Sequence, residues 1–141
     1  MEKQKILIAD DSEMNRALLV DILENQYDIV EADNGAAAID LLTQCGGDFS
    51  LLLLDIMMPE MDGFEVLAYI NRYHLNDTLA VIMISADDSP ANIKRAYDLG
   101  AFDYISRPFD AAIVRRRISN TMLLYARQRH LENIIACLLY T

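Results

Sequence analysis

The sequence predicts an α/β fold on a parallel β-sheet, and three features carry that expectation. Short apolar runs alternate with helix-patterned stretches from one end of the chain to the other, the pattern of parallel strands joined by crossover helices. The third and fourth runs, Leu51 to Leu54 and Ala80-Val-Ile-Met-Ile84, are apolar at every position, as central strands covered on both faces must be. The chain has 141 residues, 53% of them hydrophobic and 24% charged, which is one domain of ordinary size with material for a sizeable core.

Lys5-Ile-Leu-Ile-Ala9 is the first strand. Ser12 then caps a helix to about Glu24, because its hydroxyl can accept from the free amides of the first turn. Asp28-Ile-Val-Glu-Ala32 is the second strand, and the helix beginning near Asn34 is ended by Gly46-Gly47. After the third strand a helix runs from about Asp62 to His74. After the fourth, Ser89 then Pro90 sets an N-cap and a first-turn proline, whose missing amide costs nothing there, and this helix stops at Gly100. Phe102 to Ile105 is the fifth strand, and Asp110 opens the last helix. Nothing between Ala111 and Leu139 is Gly or Pro, so this helix exceeds the mean length of about 11–12 residues and outgrows the domain. Leu124, Leu131 and Leu138 are spaced seven apart, with Ile134 or Ile135 between the last two. That spacing either pairs the helix with another one or packs it on its own sheet.

Composition removes several functional classes. Five Gly and three Pro exclude collagen-like and low-complexity chains, and the apolar fraction excludes a disordered one. The aliphatic run Leu51 to Leu54 is stopped by Asp55, and the N-terminus lacks the apolar core of a signal peptide, so neither a membrane span nor a secretion signal is expected. Cys45 and Cys137 stand far apart without a CxxC or Cys/His spacing, which argues against a disulfide or zinc site and fits a reducing cytoplasm. The formal charge of -10 is unevenly spread: residues 1–106 hold six Lys/Arg against 20 Asp/Glu, and residues 107–141 hold six Arg against Asp110 and Glu132. An acidic body repels nucleic-acid phosphates, so no direct nucleic-acid contact is expected, and Arg115-Arg116-Arg117 reads as a solvated helix face.

In an open parallel sheet, ligands gather outside the carboxyl ends of the strands. Asp10 and Asp11 follow the first strand, Asp55 the third, Ser85 the fourth and Arg107-Pro108 the fifth, which places five polar side chains on one rim. Three carboxylates on one edge repel one another and raise a pKa unless a cation sits between them. Magnesium suits that gap, because it takes oxygen ligands and keeps several waters. An ionised carboxylate beside a cation, a hydroxyl and a guanidinium can attack a phosphoryl group and form an acyl phosphate without a general base. Asp55 is the central candidate, with Ser85 and Arg107 placed to neutralise phosphoryl oxygens.

Together, Asp10-Asp11, Asp55-Ile-Met-Met-Pro-Glu-Met-Asp-Gly63, Ser85-Ala86 and Tyr104-Ile-Ser-Arg-Pro-Phe109 resemble the receiver domain of two-component response regulators, of the chemotaxis-regulator kind, over residues 4 to about 125. The resemblance implies a flavodoxin-like three-layer sandwich, with a five-stranded parallel sheet of order 2-1-3-4-5 and five helices, the last extended. It implies that Asp55 is the phosphoacceptor for a histidine kinase or phosphotransfer protein. It also implies that Asp11, Asp55 and the Met57 backbone carbonyl bind Mg2+, with Asp10 in support through water. Ser85 then corresponds to the switch hydroxyl that turns toward the phosphate, Tyr104 to the aromatic that turns inward behind it, and the Arg107-Pro108 bond is expected to be cis. The stretch Asp110 to Glu132 resembles the connector of receivers fused to cyclic-dinucleotide enzymes of the HD-type phosphodiesterase or GGDEF-type cyclase kind. Residues 1–125 are thus expected to form the receiver, and 126–141 a linker or dimerisation segment, in either a stand-alone receiver or the receiver of a longer regulator whose output domain lies outside this sequence.

Receivers ordinarily carry Lys where this chain has Arg107. The planar guanidinium either grips phosphoryl oxygens bidentately or stands too far out to couple to the switch. Two rival functions follow from the residues. One is a dimerisation scaffold that has abandoned phosphate, with Arg107 supplying a permanent charge. The other is a phosphoester hydrolase, disfavoured because the second carboxylate such enzymes place two residues after the nucleophile is Met57 here. Met57, Met58 and Met61 read as packing residues that shape the loop, and His74 and His130 as isolated surface residues.

Overall fold

The computed structural model describes residues 3–45, 48–75, 79–87 and 89–139. Five parallel strands, β1 (Lys5–Ala9), β2 (Asp28–Ala32), β3 (Phe49–Asp55), β4 (Ala80–Ser85) and β5 (Asp103–Ser106), lie in the order β2-β1-β3-β4-β5. Between and after them run α1 (Glu13–Leu23), α2 (Gly35–Cys45), α3 (Gly63–Arg72), α4 (Pro90–Asp98) and α5 (Ala111–Leu139). This is the three-layer architecture and strand order that the resemblance implies. Among the described residues, no helix is long and apolar enough to cross a membrane.

Period-two alternation sorts the strand side chains onto two faces. Leu7, Ala9, Leu52, Leu54, Val81 and Met83 point to one face, where α2 and α3 bring Ala38, Leu42, Phe64, Val66, Leu67 and Ile70. Ile6, Ile8, Leu51, Leu53, Ile82 and Ile84 point to the other and meet Leu19 and Leu23 of α1 and Val114, Ile118 and Met122 of α5. Burying each such Leu or Ile stabilises the fold by about 1.5–3 kcal/mol relative to exposure. The three inner strands, β1, β3 and β4, are therefore what holds both layers.

Helix starts follow the expected chemistry. Ser12 Oγ accepts from Asn15 N, Asn34 Oδ1 from Ala37 N, Asp62 Oδ1 from Glu65 N, Ser89 Oγ from Asn92 N and Asp110 Oδ1 from Ala112 N. Boundaries shift by small amounts. β3 begins at Phe49 and includes Asp55, and β4 includes Ser85, so both polar residues end their strands rather than follow them. Residues Asp103–Ser106 form β5, one position later than the apolar pattern suggests, because Phe102 instead turns toward Tyr125 of α5. α3 ends at Arg72, with His74 beyond it at φ 55°, and α4 ends at Asp98, two residues before Gly100 at φ +97°. Gly46 and Gly47, expected to end α2, lie outside the described residues.

α5 runs unbroken for 29 residues. Tyr125 meets the Phe102 ring edge to face at 5.9 Å. Beyond it Leu131, Ile134, Ile135 and Leu138 are exposed, as is Leu124 just before it. The expectation that the seam packs on its own sheet therefore fails for residues after Tyr125.

Candidate functional site

Strand register assembles the site. Ala9 pairs with Leu54, so Asp10, the next residue, stands beside Asp55 in the crevice between β1 and β3 where the strand order reverses. Asp55 pairs with Ile84, and Ser85 with Ser106, so Ser85 and Arg107 stand one step further along the same edge. Gly63 packs against this corner. Its amide donates to Ile56 O at 2.8 Å, and a Cβ there would overlap the Asp55 carbonyl oxygen and come within 2.8 Å of Ile56 Cα. Only glycine lets α3 start so close to the end of β3.

Asp10, Asp11 and Asp55 each offer a carboxylate oxygen, all within 4.8 Å of one another. Asp10 and Asp55 are buried, at 0% and 1% exposure, while Asp11 is exposed. Asp10 Oδ1 accepts from Ser12 N at 2.9 Å, and Arg16 Nη1 donates to the Asp10 carbonyl at 2.7 Å. Asp55 Oδ1 accepts from Met57 N at 3.4 Å. Burial, and then the Asp10 charge beside it, push the Asp55 carboxyl from 3.8 up to about 7, against the opposing pull of Arg107.

Arg107 reaches into this pocket. Its Nη2 lies 2.6 Å from Asp10 Oδ2 and 3.1 Å from Asp55 Oδ2. The Arg107-Pro108 peptide is cis, as the resemblance implies. The Asn15 amide orientation that satisfies both of its ends turns the oxygen to Arg107 Nη1 and Nη2 at 3.1 and 3.3 Å, and the Phe109 ring lies 5.9 Å away. Asn15 is not among the residues the sequence singles out, and Phe109 enters there only as the end of the Tyr104–Phe109 motif. Asn15 was accessible to helix geometry, since it sits in the first turn of α1 directly after Asp10-Asp11.

Ser85 is 1% exposed and its Oγ accepts from Asp87 N at 3.0 Å. Tyr104 is buried, with its hydroxyl donating to the Asp87 carbonyl. Met58 and Met61 pack as expected, but the Met57 side chain is 70% exposed, because Ile56 and Met58 fill the space beneath the loop. His74 and His130 are exposed. The Arg115-Arg116-Arg117 run is more than a solvated face. Arg115 Nε donates to Ile22 O, and Arg117 Nη1 donates to Tyr104 O at 2.7 Å and to Asp103 Oδ1 at 3.2 Å, tying α5 to α1 and β5.

A doubly wound parallel sheet with an acidic pocket and one basic side chain at its switch point defines a class of small α/β signalling domains. Residues 6–119 match the family described as response regulator receiver domain, and the chain belongs to it. It is 35% identical over 123 residues to the chemotaxis protein CheY of Halobacterium salinarum, covering 86% of this chain and 98% of that protein. It is also 35% identical over 113 residues to a Vibrio cholerae protein named "Probable cyclic di-GMP phosphodiesterase", covering 80% of this chain but only 25% of that protein. Among solved structures, the CheX-CheY-BeF3-Mg+2 complex from Borrelia burgdorferi superposes with a TM-score of 0.79 at 30% identity, over 84% of this chain and 89% of that one.

Proposed function

We propose that the chain is a phosphorylation-controlled switch whose acceptor is Asp55. The observation that carries this reading is the buried Asp55 carboxylate at the strand switch point, with two further carboxylates and the Arg107 guanidinium around it. Asp10, Asp11, Asp55 and the Met57 carbonyl would hold Mg2+. The donor set fits, since it is all oxygen, and burial together with the neighbouring Asp10 charge pushes the Asp55 carboxyl up to about 7, a cost that a cation would relieve. When bound, Mg2+ neutralises these carboxylates and the phosphoryl oxygens.

Asp55 supplies an oxygen that bonds to phosphorus as the P–N bond of a phosphohistidine breaks, the donor being a histidine kinase or a phosphotransfer protein. Ser85 leaves Asp87 N to donate to a phosphoryl oxygen, and Arg107 donates to another. Tyr104 and the α4–β5 surface follow Ser85, because the Tyr104 hydroxyl is tied to the Asp87 carbonyl two residues away. Residues 1–125 form this switch. Residues 126–141 form its output connection, which pairs with the same segment of a second copy through Leu131, Ile135 and Leu138, extended by Leu124 just before it. The phosphodiesterase relative, of which this chain spans a quarter, supports a cyclic-dinucleotide enzyme as the attached output.

A second reading, a scaffold that needs no phosphate, is favoured by one observation: Arg107 already pairs with Asp55. Intact-protein mass after incubation with acetyl phosphate separates the two. The switch gains one phosphoryl group only with Mg2+, and Asp55→Asn gains none. If wild type gains none even with a kinase, the scaffold reading stands.

A further inference from the structure

We propose that the exposed end of α5 pairs with a second copy of this chain in parallel and in register, with Arg127 of each helix facing Glu132 of the other. This rests on the reading of residues 126–141 as a pairing segment, and it adds the direction, the register and the charges that select the partner.

Leu124, Leu131 and Leu138 are all exposed, and two heptad frames can hold them in a seam. With the leucines at position a, Arg127 falls at d, and pairing would bury its guanidinium in the seam. With the leucines at d, Ile135 falls at a, and a β-branched residue at a with Leu at d favours a two-stranded parallel coil. Ile134 and Leu139, also exposed, then stand at g and e and widen the apolar strip. Ala126, His130, Asn133 and Ala136 fall outside it. Thr121, one heptad before Gln128, is buried in the body, so the seam opens at Leu124.

Polar residues decide the direction. A parallel coil sets each g residue against the e residue five positions further along the partner, whereas an antiparallel one sets g against g and e against e. In this frame g holds Arg127 and Ile134, and e holds Tyr125, Glu132 and Leu139. Parallel pairing therefore makes two Arg127–Glu132 pairs and two Ile134–Leu139 contacts by symmetry. Antiparallel pairing makes no pair of opposite charge, because each charged residue meets its own kind or an uncharged one. Gln128, at a, faces the same amide across a parallel seam, where each can donate and accept, but faces a leucine across an antiparallel one. Arg127 and Glu132 are exposed, and five residues apart on one helix they do not face each other, so their match is available to a second copy. Parallel pairing brings the far ends of both helices out on one side, where domains joined to them would meet.

Disulfide trapping of the full chain tests the direction. In a Cys45→Ser/Cys137→Ser background, Gln128→Cys and Ile135→Cys should both link into dimers under mild oxidation, and the outward Asn133→Cys should not. An antiparallel pair can oppose at most one of the two seam positions to itself, so linkage of only one, of neither, or of Asn133→Cys equally well overturns the proposal. Sedimentation equilibrium tests the charges. Arg127→Glu and Glu132→Arg should each weaken self-association roughly tenfold, and their equimolar mixture should recover wild-type affinity to within about threefold, since every pair in the mixed dimer is again of opposite sign. A mixture as weak as either variant alone overturns the Arg127–Glu132 pairing. A wild-type chain that stays monomeric across the concentration series overturns the pairing segment itself, whereas one that associates without the seam crosslinks keeps the segment and loses the parallel register.

Discussion

Asp55 combines two demands that conflict in a buried side chain. As the proposed phosphoacceptor it would have to be ionised to attack phosphorus, yet burial and the neighbouring Asp10 raise its pKa from 3.8 to about 7. Between those values the folded protein holds a proton that the unfolded chain has released. Without metal, this group's contribution to stability is therefore complete at low pH, falls as pH rises from about 4, and is gone above about 7. Asp55→Asn removes the dependence, so the thermal midpoint of the variant minus that of wild type should rise between pH 5 and pH 8 in chelator, by an amount equivalent to on the order of a few kcal/mol. A flat difference would show that the Asp55 carboxyl titrates as an ordinary one. Mg2+ should shrink the difference, because a divalent cation favours the carboxylate form.

The loop from β3 to α3 shows how an element is built to serve one residue. Gly63 lets α3 begin against the backbone of Asp55 and Ile56, and Asp62 caps it. Gly63→Ala puts a methyl into the Asp55 carbonyl, where only backbone can yield. Thermal unfolding should show a loss of about 1–3 kcal/mol, and labelling by acetyl phosphate should slow, because the acceptor is displaced. The elements themselves were legible in the sequence wherever local chemistry decides them: the N-caps Ser12, Ser89 and Asp110, and the doubly apolar β3 and β4. The residues Asp10, Asp55 and Ser85 were legible too, since strand ends carry them to one edge. The environment of Arg107 was not. Its contacts with Asp10 and Asn15 join residues 97 and 92 positions apart, and only the register of three successive strand pairings, across β1, β3, β4 and β5, brings them together. The tying role of Arg115 and Arg117 was hidden for the same reason.

At the scale of the whole molecule, the acidic body carries a basic, partly unpartnered rod. α5 is anchored by Val114, Ile118, Met122 and the Arg117 hydrogen bonds, and then leaves the sheet with its leucines in solvent. Sedimentation velocity over a concentration series should show self-association of the full chain, lost in Leu131→Glu/Ile135→Glu with no change in thermal midpoint, since neither residue touches the core. Association that persists in that variant would place the contact elsewhere.

The reach of this rod has a mechanical meaning. From Tyr125 to Leu139 the helix extends about 21 Å past its last ring contact with the domain. Because Arg117 grips the Tyr104 carbonyl, the strand that carries the buried Tyr104 ring is also the helix's mounting point. A tilt of about 10° at that mount would swing the far tip by about 4 Å, so a rearrangement too small to alter the body's outline would still be felt, amplified, by whatever is joined to the end.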